Sequence, residues 1–241
     1  MKKMWVLIGK DIRDGLTEKT SLQMLCVPVV FTVIFKYLVF SRGDVTIFYI
    51  LWMCTFFNVA LLPMCVFPLL VTQEKETHTL PVLIRSGVSE QKMLLSKAAA
   101  TLCIELISAA LMGIICDLGL RQLMLYLAVN ITVSVALLPF GGIVGIFAVD
   151  KNSTNVYSTF GVLFMMIHPL FTIGGGLWRE MGKMLPSSLL SEVFFPWIFE
   201  GLFLTGQMLM SIGVTIVWMA AGGLVFAVLY KKYGLRTEKK G

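Results

Sequence analysis

Apolar residues occupy six long blocks of this chain, and polar residues collect in the short stretches between them. Each block reaches the roughly 20 residues that an α-helix needs to cross a bilayer. The pattern predicts spans at about 21–40, 45–71, 93–116, 122–149, 154–178 and 207–230. Pro28, Pro63 and Pro68 fall inside the first two spans and predict bends there. Residues 1–20 follow a helical period instead. Met1, Met4, Trp5, Ile8, Ile12 and Leu16 share one face, and Lys2, Lys3, Lys10, Asp11, Arg13, Asp14 and Glu18 the other, with Val6 and Leu7 as exceptions. A basic amphipathic helix with Trp on its apolar side is expected to lie in the membrane interface. Residues 179–206 mix charges and prolines with Leu, Phe and Trp; they are too apolar for a free loop and too broken for a span. They predict a re-entrant pair of short helices at the outer face, with Ser187 and Ser191 open to the outside.

Composition supports a membrane protein. The 241 residues are 57% hydrophobic and 14% charged, with a mean hydropathy of +0.85, against about 45–50% and 25% in soluble domains. The predicted fold is thus all-α and one domain, 1–241: an interfacial helix (1–20), spans one to five (21–178), the outer segment (179–206), span six (207–230) and a cytoplasmic tail (231–241). The net charge of +6 sits in the loops beside the spans, which argues for lipid and against nucleic acid as its partner. Most Lys and Arg residues fall on the termini and on alternate loops. Only Lys36, Arg42, Arg121, Arg179 and Lys183 lie on the other side, so both termini are expected inside. Five cysteines without a C-x-x-C pair predict neither a disulfide framework nor a metal site. No cleavable signal peptide is evident.

The longest hydrophilic break runs from Thr72 to Lys92, between the second and third spans. Its order is Glu74-Lys75-Glu76, then Thr79-Leu80, Leu83, Ser86-Gly87-Val88-Ser89 and Leu94-Leu95-Ser96-Lys97. This resembles the corresponding segment of type-2 ABC exporter permeases, which typically reads E-[KR]-E, T-L, L-L, a small-P-V-S turn and L-x-G-K. Lys10-Asp11-Ile12 and Pro28 are similar to that family's opening. Three positions depart from the pattern: His78 stands where Gly is usual, Pro81 where an acidic residue is common, and Gly87 where Pro is usual.

The resemblance implies a cytoplasmic coupling helix, with Glu74, Lys75, Glu76, Thr79, Leu80, Leu83 and Arg85 transmitting force from a dimeric ABC ATPase. Exposed Glu74, Glu76 and Arg85 and apolar Leu80, Leu83 and Ile84 are expected to fill a cleft on that partner. The chain has no Walker A sequence, since Gly15 to Thr20 lacks the glycine before Lys19. ATP and Mg therefore belong to the ATPase, and this chain is expected to bind no cofactor and to be no enzyme by itself. A second permease subunit, identical or paralogous, is implied, as is a hydrophobic or amphipathic cargo such as a peptide, bacteriocin or drug, exported across a bacterial plasma membrane.

Within the spans, Asn58, Glu105 and Asn130 are the candidate pathway residues. A mid-span carboxylate is costly and normally faces the bundle interior. Counted along the helices, Lys36 reaches a similar depth, so an ion pair with Glu105 is the structural alternative. Gly141 to Gly145 has the spacing for close helix approach. His78 and His168 lie at different depths and make no metal pair. A non-transporting immunity or receptor protein, or an intramembrane enzyme, is the other functional class to weigh.

Overall fold

The computed structural model describes residues 2–39, 46–85, 87–174, 176–194 and 205–235. Every regular element among them is helical: α1 (Lys2–Thr17), α2 (Lys19–Leu38), α3 (Ile47–Leu61), α4 (Phe67–Glu76), α5 (Leu80–Arg85), α6 (Glu90–Ile115), α7 (Leu120–Phe147), α8 (Lys151–Gly174), α9 (Gly176–Gly182) and α10 (Gly206–Tyr233). Among the described residues, five stretches are long and apolar enough to cross a membrane: Lys19–Leu38, Tyr49–Glu76, Glu90–Ile115, Leu120–Phe147 and Gly206–Tyr233. The stretch expected as the fifth span is the helix α8, which is not among these five. The turn at 41–44 and the second half of the outer segment lie outside the described residues.

The stretch Tyr49–Glu76 is the centre of the bundle. In its most apolar 18 residues 89% are buried, against 11% in Gly206–Tyr233, which lies at the periphery. Pro63 and Pro68 cannot donate backbone hydrogen bonds, and the helix answers with a five-residue π-helical turn, Leu62–Val66, between α3 and α4. α7 runs parallel to this central helix: Thr55 bonds Tyr126 near one end, and Lys75 bonds Gly145 near the other. The glycines of α7 make that approach possible. A Cβ on Gly141 would lie 2.1 Å from the Pro63 carbonyl oxygen, and one on Gly145 3.2 Å from Val71 Cβ. Gly142 faces Phe226 of α10 instead. The Gly141–Gly145 spacing is therefore a contact stripe on the central helix.

α1 corrects the expected polar face at Asp11. Its buried side is Leu7, Asp11 and Gly15, one residue per turn, and it packs on α6, with Gly15 against Ile104. Trp5 and Val6 are exposed. Ile12 and Leu16 of the expected apolar face pack beside Leu25, Leu62 and Ile104, so the correction concerns Asp11, which is buried through polar partners described below. The ends of α1, α4, α6, α7, α8 and α10 that approach one another, together with α5, form one face of the bundle, here called the near face. The α6–α7 turn, α9 and the π-helical turn Leu190–Phe194 form the far face.

At the far face, Trp52 Nε1 donates to Ser191 Oγ at 3.1 Å. His168 Nε2 lies 2.9 Å from the same oxygen, and His168 Nδ1 2.9 Å from the Gly182 carbonyl. Indole N–H and carbonyl fix the directions: Nδ1–H donates to Gly182, and Ser191 O–H donates to Nε2. Phe56 stacks on the imidazole at 5.1 Å. This chain ties α3, α8, α9 and the Leu190–Phe194 turn together. It also corrects the expected open position of Ser187, which is buried, and engages Ser191.

Gly141→Ala is expected to lower folded yield and thermal stability sharply, because its Cβ meets backbone that cannot rotate away; overpacking of this kind costs about 1–3 kcal/mol. Gly223→Ala, whose Cβ meets nothing within 4 Å, serves as control. Equal melting temperatures for the two purified variants would refute the contact.

Candidate functional site

The near face gathers the charges that the sequence scatters. α4 continues to Glu76 and ends in a Schellman closure, with Thr79 N–H on the Glu74 carbonyl (3.2 Å) and His78 N–H on that of Lys75 (3.2 Å). His78 takes the left-handed position at φ 53°, which glycine fills most easily. Gly87 at φ 83° has a conformation closed to proline. Glu74 and Lys75 thus belong to the last turn of a buried helix, not to a loop.

This overturns the expected exposure of Glu74, which is only 4% exposed. Its Oε1 accepts from Lys10 Nζ at 2.5 Å and from Lys97 Nζ at 3.2 Å, and its Oε2 accepts from the Thr79 hydroxyl. Lys97 also donates to Asp11 Oδ1 at 2.9 Å, and Ser96 Oγ to Asp11 Oδ2 at 2.5 Å. Lys10 reaches Asp14 at 3.5 Å. Burial pulls the Lys10 ammonium down, but the Glu74 carboxylate beside it prevails and holds it above its ordinary range. One network therefore joins α1, α4, the head of α5 and α6. The carboxylates of Asp11, Asp14 and Glu74 lie close enough to share a metal ion, but Lys10 and Lys97 already bridge them, which leaves the cluster close to charge balance without one.

Lys75 turns the other way. Its buried ammonium donates to the carbonyls of Gly145 (2.7 Å), Ile146 (2.9 Å) and Ala148 (3.1 Å). These are the open carbonyls at the end of α7, where the helix dipole also favours a cation. Beside it the Thr154 hydroxyl donates to Thr72 Oγ1 at 2.9 Å. Lys151 bridges to Glu18 at 3.2 Å, and Glu18 caps α2 by accepting from Ser21 N–H at 2.8 Å. Burial pushes the Glu18 carboxyl up, but that N–H and Lys151 outweigh it and hold it below the ordinary carboxylate range.

Of the remaining coupling candidates, Glu76 and Arg85 are exposed, and Thr79 is held by Glu74 and by Thr77 at 3.0 Å. α5 carries Leu80 and Leu83, whose side chains lie outside the described residues, while Val82 and Ile84 are exposed. The pathway candidates sit mid-bundle. Glu105 is buried and accepts from the Ser134 hydroxyl; its Oε2 has no hydrogen-bond partner among the described residues. Asn130 Nδ2 donates to the Tyr126 carbonyl at 2.8 Å, while its Oδ1 and both amide atoms of Asn58 have no hydrogen-bond partner among the described residues. Thr55 and Tyr126 set the register. Asn58 is three residues beyond Thr55 and Asn130 four beyond Tyr126, so they lie within about 2 Å of one level. Ser134 and Glu105 lie about 6 Å nearer the near face.

The expected Lys36–Glu105 pair is not formed. Lys36 Nζ donates to Asp117 Oδ2 and to the Ile115 carbonyl, both at 2.5 Å. Ile115 is about 15 Å along α6 from Glu105 at 1.5 Å per residue. Residue counts from each helix start ignored the reach of lysine, which carries its charge to the far rim. No protein-family model matches this chain, and no curated protein sequence does.

The near-face network makes a prediction. Lys97→Met leaves Asp11 and Glu74 facing each other while buried, and is expected to destabilise by about 3–5 kcal/mol. Lys151→Met removes a half-exposed bridge and is expected to cost at most about 1 kcal/mol. Unfolding of the purified variants in detergent measures both, and comparable losses would contradict the buried network.

Proposed function

We propose that this chain is the permease subunit of an ATP-driven exporter of a hydrophobic or amphipathic cargo, powered by a separate ABC-type ATPase. The observation that carries this reading is the course of the central helix. The most buried stretch of the bundle ends at the near face and, three residues on, becomes α5, with exposed Val82, Ile84 and Arg85. Glu74 and Thr79 hook α5 to α4, Glu74 and Lys97 tie α4 to α6, and Asp11 adds α1. A push on α5 is thereby delivered to the helix that every other layer packs around. Such a short, exposed helix on a rigid stem is what a soluble motor needs in order to act on a membrane bundle.

The near face is taken as cytoplasmic, because Lys and Arg are concentrated on its segments, and α8 as the fifth of six spans in a bacterial plasma membrane. α1 then lies at the inner interface. α9 and the Leu190–Phe194 turn cap the outer end without crossing. A second permease subunit completes the pathway, and ATP and Mg remain on the ATPase. Coupling falls to Glu76, Arg85 and the exposed apolar residues of α5, with Glu74 and Lys75 as its internal anchors.

Glu76→Lys combined with Arg85→Glu, both on the surface, is expected to leave the fold intact while reducing co-purification of the ATPase and its permease-stimulated hydrolysis. Unchanged binding and hydrolysis in that variant would remove α5 as the coupling element. For the topology, single cysteines replacing the exposed Glu180 and Met184, in a background without the five native cysteines, are expected to react with an impermeant thiol reagent added outside intact cells. Labelling only after the cells are opened would reverse the orientation.

A further inference from the structure

A cavity of about 780 Å³ lies on the side of the bundle, between α6, α7 and α10 and floored by Phe67 of α4. That is within the roughly 300–1,000 Å³ of small-molecule sites. Its walls are almost wholly apolar. α10 supplies Met219, Gly223, Phe226 and Tyr230 at helical spacing, and Pro139 and Leu94 face them from α7 and α6. The polar groups are confined to one end, the near face, where Gln91 and Lys231 form the rim. The acid at that rim, Glu90, is engaged, since Tyr230 O–H donates to its Oε2 at 2.7 Å. Lys231 is exposed and makes no ion pair among the described residues. Lys232 and Lys92, also exposed, add positive charge close by in sequence.

Dimensions and charge select the occupant. From Lys231 to Met219 the groove follows twelve residues of helix, about 18 Å at 1.5 Å per residue. One leaflet of a bilayer has a hydrocarbon depth of about 15 Å, half of the whole core. The groove thus runs from the headgroup level of one leaflet to about the bilayer midplane. Gly223 leaves its middle open, because a Cβ there would meet nothing within 4 Å. A basic pocket between helices at the cytoplasmic surface suits an anionic lipid headgroup.

We infer that this groove is a binding site for an anionic phospholipid of the inner leaflet, one acyl chain lying along α10 past Gly223 and the phosphate at Lys231 and Gln91. The inference rests on the membrane assignment and the orientation proposed above, and not on transport or on the ATPase. Gly223 is the residue that admits the chain, and Lys231 sets the preference for negative charge.

Native mass spectrometry of the delipidated protein, titrated with phosphatidylglycerol or phosphatidylcholine, tests it. The wild type is expected to retain a bound phosphatidylglycerol in preference to phosphatidylcholine. Gly223→Leu fills the groove and is expected to abolish that binding, as is Ala98→Leu on the facing wall, should the first variant fold poorly. Gly213→Leu, on the same helix but outside the groove, is expected to bind as wild type. Lys231→Gln is expected to lose about fivefold in phosphatidylglycerol affinity, the weight of one lysine near an anionic surface, with phosphatidylcholine unaffected. Equal binding of both lipids, or binding unchanged by groove filling, would overturn the proposal. So would loss of a dimer peak in Gly223→Leu, which would make the groove a contact between two copies. Labelling of Lys231→Cys by impermeant reagent from outside the cell would refute the inner-leaflet placement while leaving lipid binding itself measurable. Because no ATPase is present, failure of the exporter reading leaves every arm of the experiment standing.

Discussion

Charge buried among apolar helices has to be answered by the protein itself, because neither lipid nor a distant solvent can do it. Two lysines one helical face apart in role, Lys97 and Lys75, show how this chain does so. Lys97 is answered by carboxylates, Asp11 and Glu74, and Lys75 by the carbonyls that end α7. Each solution binds helices that are remote in sequence, so the charges that are costly to bury are also what holds the near face in one arrangement. Removing any single member leaves a partner buried without its counterpart, which is more damaging than never having buried the pair.

The apolar framework was largely legible in the sequence. Helix positions follow from blocks of hydrophobic residues, and the observed ends of α2, α6, α7 and α10 fall within a few residues of those blocks. The polar break was legible as a place but not as a structure. Glu74-Lys75-Glu76 reads as a solvated run, yet three successive residues on a helix point in three directions, here toward Lys97, toward α7 and into solvent. What decides among these directions is where α6 and α7 stand, and neighbours 23 and 70 residues away leave no local signal. The helical turn closed by His78 left one trace, the glycine that the resembled pattern has at that position, because a left-handed residue is most easily a glycine. Asp11 failed as Glu74 did: a charge on a helix wheel looks solvated until its partner is known.

Prolines and glycines carry a second kind of information, and here they act as a pair. Pro63 interrupts the central helix and the π-helical turn absorbs the break, while Gly141 lets α7 close onto the Pro63 carbonyl. Either residue alone looks like a defect in a membrane helix. Together they set a close approach between two parallel helices, between the Thr55–Tyr126 bond and the Lys75 cap. The polar end below and the aromatic, His168-centred end above are thus connected through a spine whose spacing is fixed by backbone rather than by adaptable side chains.

Under the proposed transport role, that spine bears on where a cargo travels. Asn58, Asn130 and Glu105 face into the bundle at neighbouring levels, and several of their polar atoms have no partner among the described residues. A buried polar atom left unpaired costs about 1–3 kcal/mol, so these groups gain from any contact with water or with a second polar surface. In the arrangement seen they are sealed by α3, α6 and α7, where Glu105 accepts from the Ser134 hydroxyl. A pathway lined by these residues therefore requires the three helices to part. They cannot part freely at the near face, where Lys75 and Lys97 tie the central helix to α7 and α6, nor at Gly141, where backbone meets backbone.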